Sequence, residues 1–221
     1  MTKDHIEELN ESLAGKSPAE VIDWAVDYGA GNAIVSTNFR PLEAVLLHMT
    51  TRAKPDIPVL WVDTGYNTSA TYRFAEQVIE QLDLNVKKYI PLDTAAHRDA
   101  KNGGIPDIDD QEKHDRFTHE VKLEPFTRGL SELKPKIWFT ALRKEQTAFR
   151  ETLGFVSEHT DGILKISPVL YFTEADMKTY LAEHNLPDEE HYYDPTKVLE
   201  KRECGLHVGH GKQEPHEVNP S

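Results

Sequence analysis

The sequence is poor in cysteine, in long apolar runs and in positive charge, and each shortage excludes a class of protein. Its 221 residues include one cysteine, which can form no disulfide within the chain and cannot alone hold an iron–sulfur cluster or a cysteine-rich zinc site. No apolar run reaches the ~18 residues of a membrane span, and the first residues lack the apolar core of a secretory signal. We therefore expect a cytoplasmic protein that has no membrane partner.

Positive charge is scarce relative to negative charge. Lys and Arg number 25 against 38 Asp and Glu, so the net charge is −13. Duplex nucleic acid is bound largely by neutralising its phosphates, and this balance argues against such a partner. An anionic ligand would need a local cluster of cations that works against the field of the whole protein.

Strands and helices alternate along most of the chain. Apolar strand patterns occupy residues 33–35, 58–62, 86–90, 137–140 and 163–166, and helical patterns occupy residues 3–13, 18–29, 41–52, 68–82 and 173–184. This alternation predicts an α/β fold with a doubly wound, mainly parallel sheet. Ligands of such sheets bind at the carboxyl ends of strands, which here precede the loops at 36–40, 63–67 and 141–150.

The length fits one domain, since domains mostly run ~100–200 residues. We expect an α/β domain over residues 1–184. From residue 185 the chain becomes rich in Pro, Glu and His, which predicts a flexible, partly ordered tail over residues 185–221. Residues 101–115 are polar and contain Gly and Pro, and they predict a mobile surface loop.

Two strand-to-helix loops are candidate binding segments. Ser36, Thr37 and Asn38 precede a helix, whose N-terminal amides suit a phosphate; the alternative is an ordinary helix cap. Glycine is absent from this loop, so it is no Walker A motif. Asp63, Thr64 and Gly65 follow the next strand, where Asp63 or the exposed backbone can bind a sugar or base. A plain turn explains them equally well.

A small cluster of cations follows the fourth strand. Arg143, Lys144 and Arg150 lie within eight residues of an acidic chain, and guanidinium forks match phosphate or sulfate oxygens. Lys122 would add a further charge. The alternative is a solvent-exposed helix face, with neighbouring glutamates as partners.

The single cysteine, Cys204, lies among cations. Lys201, Arg202 and His207 flank it, and nearby positive charge lowers a thiol pKa and favours the nucleophilic thiolate. Two alternatives remain open. Cys204 is an incidental free thiol, or it joins His207 and the histidines at 210 and 216 in a metal site.

Taken in order, these segments resemble the phosphoadenylyl-sulfate (PAPS) reductase family. The family's DTGY and TYRF stand at residues 63–66 and 71–74, and its KVEPM appears as KLEPF at 122–126. Its WFAGLRREQ appears as WFTALRKEQ at 138–146, and its KRECGLH is intact at 201–207. The resemblance covers most of the chain.

The resemblance implies a fold similar to the adenine nucleotide α-hydrolases and the reduction of PAPS to sulfite and adenosine 3′,5′-bisphosphate. Cys204 is the implied catalytic nucleophile, which forms an S-sulfocysteine that reduced thioredoxin or glutaredoxin resolves. The enzyme is expected to be a homodimer that holds no metal or bound cofactor. The residues expected to bind substrate are Ser36, Thr37, Asn38, Asp63, Thr64, Gly65, Lys122, Arg143, Lys144, Arg150, Lys201, Arg202 and His207.

Three departures from the family pattern keep alternatives open. Arg40 replaces the family's loop glycine, and Lys144 replaces the second arginine of its LRREQ. The family's YxSxGDxHTT stretch has no clear counterpart between residues 186 and 199, where Tyr192 or Tyr193 is the remnant. The alternatives are adenylyl-sulfate reduction, cleavage at a nucleotide α-phosphate, and nucleotide binding without turnover.

Overall fold

A six-stranded sheet organises the chain. The computed structural model describes residues 2–107, 109–159 and 162–196. The strands are β1 Ala33–Thr37, β2 Pro58–Val62, β3 Asn85–Tyr89, β4 Ile137–Phe139, β5 Val156–Glu158 and β6 Leu164–Ile166. Their order is β3-β2-β1-β4-β6-β5, and every neighbouring pair is parallel except β5 with β6. The predicted doubly wound, mainly parallel sheet is confirmed.

The strand order creates one topological switch point. The chain runs outward from β1 to β2 and β3, and then returns to place β4 on the other side of β1. Connections on the two sides of this point diverge, so a crevice opens above the carboxyl ends of β1 and β4. The sheet thus positions the loops that follow Thr37 and Phe139 beside one another.

Helices cover both faces of the sheet. They are α1 Lys3–Leu13, α2 Pro18–Tyr28, α3 Glu43–Ala53, α4 Ser69–Leu82, α5 Ala95–Asn102, α6 Gln111–Thr118, α7 Glu124–Leu133, α8 Ala148–Glu151 and α9 Glu174–Glu183, with a π-helix at His119–Leu123 and a 3-10 turn at Lys144–Gln146. Among the described residues, no helix is both long and apolar enough to cross a bilayer.

Two apolar layers pack on opposite faces of the sheet because side chains alternate along each strand. Val35 and Trp61 pack in one layer with the residues of α3. Ile34 and Leu60 point the other way, where they pack with Trp138 beneath α7. The central strands are therefore buried on both faces, as their nearly continuous apolar sequences predict.

The region between β3 and α7 differs from its prediction. Residues 101–115 were expected to form a mobile loop, but α5 extends through Asn102 and α6 begins at Gln111. Gly103 ends α5 with a left-handed φ of 82°, and the Asp110 side chain caps α6. These helices bury few apolar side chains, so their sequences lack the apolar stripe that marks a helix.

Residues 185–196 pack against the domain. The Leu42 backbone N–H donates to the Asp188 carboxylate at 2.6 Å, and the Gln81 side chain donates to the Asn185 carbonyl at 3.0 Å. The division into a domain over residues 1–184 and a tail over residues 185–221 stays a prediction. Residues 197–221 lie outside the described part of the chain, and with them the predicted site residues Cys204, Lys201, Arg202 and His207.

Candidate functional site

A polar cavity lies at the switch point of the sheet. Its walls come from the loop after β1, the residues that follow β4, the π-helix and the segment at residues 192–194. The predicted site residues that line it are Ser36, Thr37, Asn38, Lys122 and Arg150. Arg40, Glu43 and Asp194 also line it, and they were not among the predicted site residues.

The loop after β1 is organised around the carboxylate of Glu43. One carboxylate oxygen accepts from the Thr37 hydroxyl at 2.8 Å and from the Asn38 backbone N–H at 2.9 Å. The other accepts from Arg40 Nε at 2.7 Å. Glu43 is 7% exposed. Its carboxylate, in the first turn of α3, therefore binds the hydroxyl and backbone N–H groups that were predicted to bind a phosphate.

This loop also carries unusual backbone geometry. Phe39 and Leu42 have φ values of 51° and 69°, a region that residues other than glycine seldom occupy. Such strain persists only where surrounding contacts over-determine it, and it clusters at functional sites. Phe39 is held by burial against Trp61, and Leu42 by its bond to Asp188. Because Leu42 is left-handed, α3 begins at Glu43 rather than at the predicted residue 41.

Glu43→Ala is expected to destabilise the protein. The change leaves the Thr37 hydroxyl and the loop amides without their acceptor, and hydrogen bonds to a buried charged group each contribute ~1.5–3 kcal/mol. We expect a loss of about 3 kcal/mol in unfolding free energy and a Tm lowered by about 6–12 °C in thermal denaturation.

Glu76→Ala is the matched control, because Glu76 is an exposed residue inside α4. It removes the same side chain from a helix and should leave Tm nearly unchanged. Equal Tm values for the two variants would contradict the structural role of Glu43.

The wall opposite this loop comes from the chain after β4. The Trp138 indole N–H donates to the Ser36 hydroxyl at 2.8 Å and joins the two strands at the cavity floor. Arg150 is 7% exposed and lines the cavity; its guanidinium donates to the Gln146 side-chain carbonyl. The N-cap of α8, Thr147, accepts from the Arg150 backbone N–H. A short capped helix therefore holds this cation beside the loop after β1.

Lys122 is buried and ion-paired. The π-helix places its ammonium 2.7 Å from the Asp194 carboxylate and 3.0 Å from the Thr196 hydroxyl, and the Lys122 and Asp194 side chains are 3% and 6% exposed. Burial alone would raise the pKa of Asp194, but the Lys122 ammonium and hydrogen bonds from Lys122 and Thr196 outweigh it and lower that pKa below its ordinary value. The pair joins the cavity wall to the segment at residues 185–196.

The predicted residues after β2 form a turn beside the cavity. The Asp63 carboxylate accepts from the Gly65 backbone N–H at 3.0 Å and from the Tyr72 hydroxyl at 2.7 Å, and the Thr64 hydroxyl accepts from the Tyr66 backbone N–H at 3.3 Å. Gly65 has a φ of 81°, which explains a glycine there. These are the contacts of a turn, and the cavity lining reaches β2 only at Leu60 and Val62 among the described residues.

Arg143 and Lys144 stand apart from the described lining. Arg143 is 6% exposed and its guanidinium pairs with the Glu145 carboxylate. The Lys144 ammonium lies 4.7 Å from the centre of the Tyr171 ring, a cation–π contact. The structure therefore brings Arg150 to the cavity, while the described contacts of the other two cations are made elsewhere. Substrate binding by Arg143 and Lys144 stays a prediction.

Three acidic residues of this region were missed by sequence reasoning. Glu43, Asp188 and Asp194 each bind groups of the site, but the latter two do so across separations of 146 and 72 residues. No pattern in the local sequence indicates hydrogen bonds between residues so far apart in the chain. Glu43 had a local signal, because an acidic residue in the first turn of a helix can accept from the preceding loop amides.

Comparison with known proteins gives a consistent result. Residues 32–194 match the phosphoadenosine phosphosulfate reductase domain. Phosphoadenosine 5′-phosphosulfate reductase of Synechococcus sp. is 37% identical over 181 residues, covering 81% of this chain and 77% of that protein. The protein of the same name from Xylella fastidiosa strain 9a5c is 36% identical, covering 92% and 94%.

Solved structures extend the comparison to three dimensions. The phosphate complex of PAPS reductase from Candida auris superposes with a TM-score of 0.74 at 27% identity, covering 86% of this chain and 90% of that one. FMN adenylyltransferase from Candida glabrata, at 15% identity and a TM-score of 0.56 over 85% of this chain and 60% of that one, shares the fold alone. The sheet, the switch-point cavity and these likenesses together place the chain in the phosphoadenosine phosphosulfate reductase family.

Proposed function

We propose that this protein reduces PAPS to sulfite and adenosine 3′,5′-bisphosphate in sulfate assimilation. The observation that carries the proposal is the cavity at the switch point, where the cations Arg40, Lys122 and Arg150 exceed the carboxylates Glu43 and Asp194 by one charge in a chain of net charge −13. The curated relatives bear the name of this activity, and the Candida auris relative was solved as a phosphate complex.

The reaction needs a nucleophile and a reductant. The thiolate of Cys204 attacks the sulfate sulfur, a sulfur–sulfur bond forms, and the bond from sulfur to the bridging phosphate oxygen breaks to release the bisphosphate. A dithiol donor, thioredoxin or glutaredoxin, then attacks the S-sulfocysteine. Its two electrons release sulfite, Cys204 is restored, and the donor leaves as a disulfide. The enzyme itself needs no bound cofactor in this scheme.

The cations serve this chemistry by offsetting charge. Anionic oxygens surround the sulfur, and they repel an approaching thiolate unless fixed positive groups lie nearby. Arg40, in the loop after β1, and Arg150, in α8, both line the cavity, so they are placed to meet an anionic group bound there. The homodimer, the cytoplasmic location and the absence of a metal stay predictions from the sequence and the resemblance.

The direct test is a sulfite assay with reduced thioredoxin and either PAPS or adenylyl sulfate. The proposal expects sulfite and adenosine 3′,5′-bisphosphate from PAPS. Sulfite from adenylyl sulfate alone would indicate the other reductase activity. Release of AMP without sulfite would indicate cleavage at the α-phosphate, and binding without product would indicate a nucleotide-binding relative.

Arg150→Ala should weaken binding of adenosine 3′,5′-bisphosphate by about tenfold or more, because a charge-assisted hydrogen bond contributes ~1.5–3 kcal/mol. Titration calorimetry measures the change, and the affinity of the unmodified protein should fall with added salt.

Arg52→Ala is the control for Arg150→Ala. It removes an exposed arginine from the last turn of α3, outside the cavity lining, so the dissociation constant should stay close to that of the unmodified protein. An Arg150→Ala protein that binds as tightly as this control would remove Arg150 from the site.

A further inference from the structure

A second cavity, separate from the switch-point cavity, lies between α5, α6 and the π-helix. Its volume is about 250 Å³. The polar residues that line it are Arg98, Asn102, Lys113, Arg116 and Glu120. The two cavities share no lining residue among those described. Three cations and one carboxylate around one space form a positive cluster in an acidic protein.

Arg98 is the deepest group of this cavity. It is 4% exposed, and its guanidinium makes an ion pair with Glu120 through Nη1. Its Nε is buried, and within the described part of the chain it has no hydrogen-bond partner. A buried N–H donor without an acceptor costs free energy, so the described residues leave the Arg98 guanidinium incompletely hydrogen-bonded.

The other two cations stand at the rim. Lys113 is paired with Asp110 at 2.7 Å, and its side chain is 64% exposed. Arg116 is exposed, and no carboxylate of residues 2–107, 109–159 or 162–196 lies within ion-pair distance of its guanidinium. The cavity is therefore lined by the buried guanidinium of Arg98 and by the exposed guanidinium of Arg116.

We propose that this cavity binds a tetrahedral oxyanion of the phosphate or sulfate class. Such an ion presents several acceptor oxygens, so one can accept from the terminal N–H groups of Arg98 while others meet the Arg116 fork. Glu120 opposes the anion, but it is already engaged with Arg98. Because Arg98 is paired with Glu120 and Lys113 with Asp110, the positive charge that no described carboxylate offsets is that of Arg116. This proposal rests on geometry that is independent of the proposed reductase activity.

The oxyanion has two possible sources, a free inorganic ion or a phosphate group of the nucleotide. The second is geometrically reasonable because the cavity wall is joined to the turn after β2. The Tyr66 hydroxyl donates to Asp99 of α5 at 2.9 Å, and the Tyr66 ring lies 5.3 Å from the ring of Phe117 in α6. An experiment can separate the two sources.

The experiment is a titration with inorganic phosphate at constant ionic strength, followed by backbone amide chemical shifts in NMR spectra. In the unmodified protein, saturable shifts are expected at residues 98–104 and 111–120. Arg116→Gln should weaken the phosphate affinity read from those amides by about tenfold. Because Arg116 is exposed, the variant should fold normally.

Lys101→Gln is the matched control, since it also removes one exposed cation, from α5, outside the lining. It should retain the affinity of the unmodified protein. Parallel titrations with AMP and adenosine 3′,5′-bisphosphate identify the source. If Arg116→Gln weakens the bisphosphate but not AMP, the site takes a nucleotide phosphate. If it weakens inorganic phosphate alone, the site takes a free ion.

Two results would overturn the proposal. One is the absence of saturable shifts at these amides with every anion tested. The other is equal affinity of Arg116→Gln and Lys101→Gln for each of them. Neither result would bear on sulfite formation from PAPS, so failure here and failure of the proposed function remain distinguishable.

Discussion

Cys204→Ser is expected to abolish the formation of sulfite from PAPS, with a loss of at least about a thousandfold, as for other enzymes deprived of their nucleophile. A serine hydroxyl is a much weaker nucleophile than a thiolate at neutral pH. Because the chain has one cysteine, no second thiol can take over. Binding of adenosine 3′,5′-bisphosphate should persist, since the change removes no positive charge.

Mass spectrometry of the intact protein provides the second measurement. Incubated with PAPS and no reductant, the unmodified protein should gain ~80 mass units, as expected for a covalent sulfonate on cysteine. Cys204→Ser should gain none. Reduced thioredoxin added afterwards should remove the adduct and release sulfite. Sulfite production by Cys204→Ser at the unmodified rate would exclude this cysteine as the nucleophile.

Lys122→Met is expected to destabilise the fold by about 3–5 kcal/mol, because it leaves the buried Asp194 carboxylate without its counter-ion. Chemical denaturation measures the loss. The double variant Lys122→Met with Asp194→Leu is the control. Replacing both members of a buried pair by apolar residues is often neutral, so stability should largely return. Full stability in the single variant would contradict the pairing.

Binding separates the structural role of Lys122 from its predicted role in the site. The double variant regains stability but lacks the ammonium that lines the cavity. If Lys122 also binds substrate, the double variant should bind adenosine 3′,5′-bisphosphate more weakly than the unmodified protein. If it binds equally well, Lys122 serves the fold alone.

The same ion pair predicts how stability depends on pH. The folded-state pKa of Asp194 lies below its ordinary value, and the unfolded-state pKa of an aspartate is about 3.9. The unfolded chain therefore binds a proton first as the pH falls. The contribution of Asp194 should be complete above the unfolded pKa and be lost as the pH falls through the folded one. In the double variant this part of the acid dependence should disappear.

Much of the fold could be predicted because its signals are local. The helix predicted over residues 18–29 is present as α2, and the structure shows that it begins with a capping box between Ser17 and Glu20. The apolar segments at β1 and β2 predicted parallel strands buried on both faces. The carboxyl ends of these strands were predicted to bind a ligand. The cavity lies there, lined by the loop after Thr37 and by the chain after Phe139.

The remainder could not be predicted because it depends on contacts between distant or polar residues. Lys122 was predicted from its motif to bind substrate. No residue near it in the sequence indicates that it pairs with Asp194. The left-handed Leu42 follows from a bond to Asp188, which no helix pattern contains. Arg98 and His114 are buried polar residues of α5 and α6, so the usual apolar periodicity is missing there.

The π-helix at His119–Leu123 has a consequence for the register of the chain. The Glu124 N–H bonds to the His119 carbonyl five residues earlier, one more than in an α-helix, so the turn contains one surplus residue. Deleting a single residue here would close the turn with the α-helical bond, leave α6 nearly in its present orientation relative to α7, and change the directions of the side chains between them. Glu120 and Lys122, which now serve separate cavities, would no longer point where they do. The surplus residue therefore allows one short stretch of backbone to supply a lining residue to each of the two cavities.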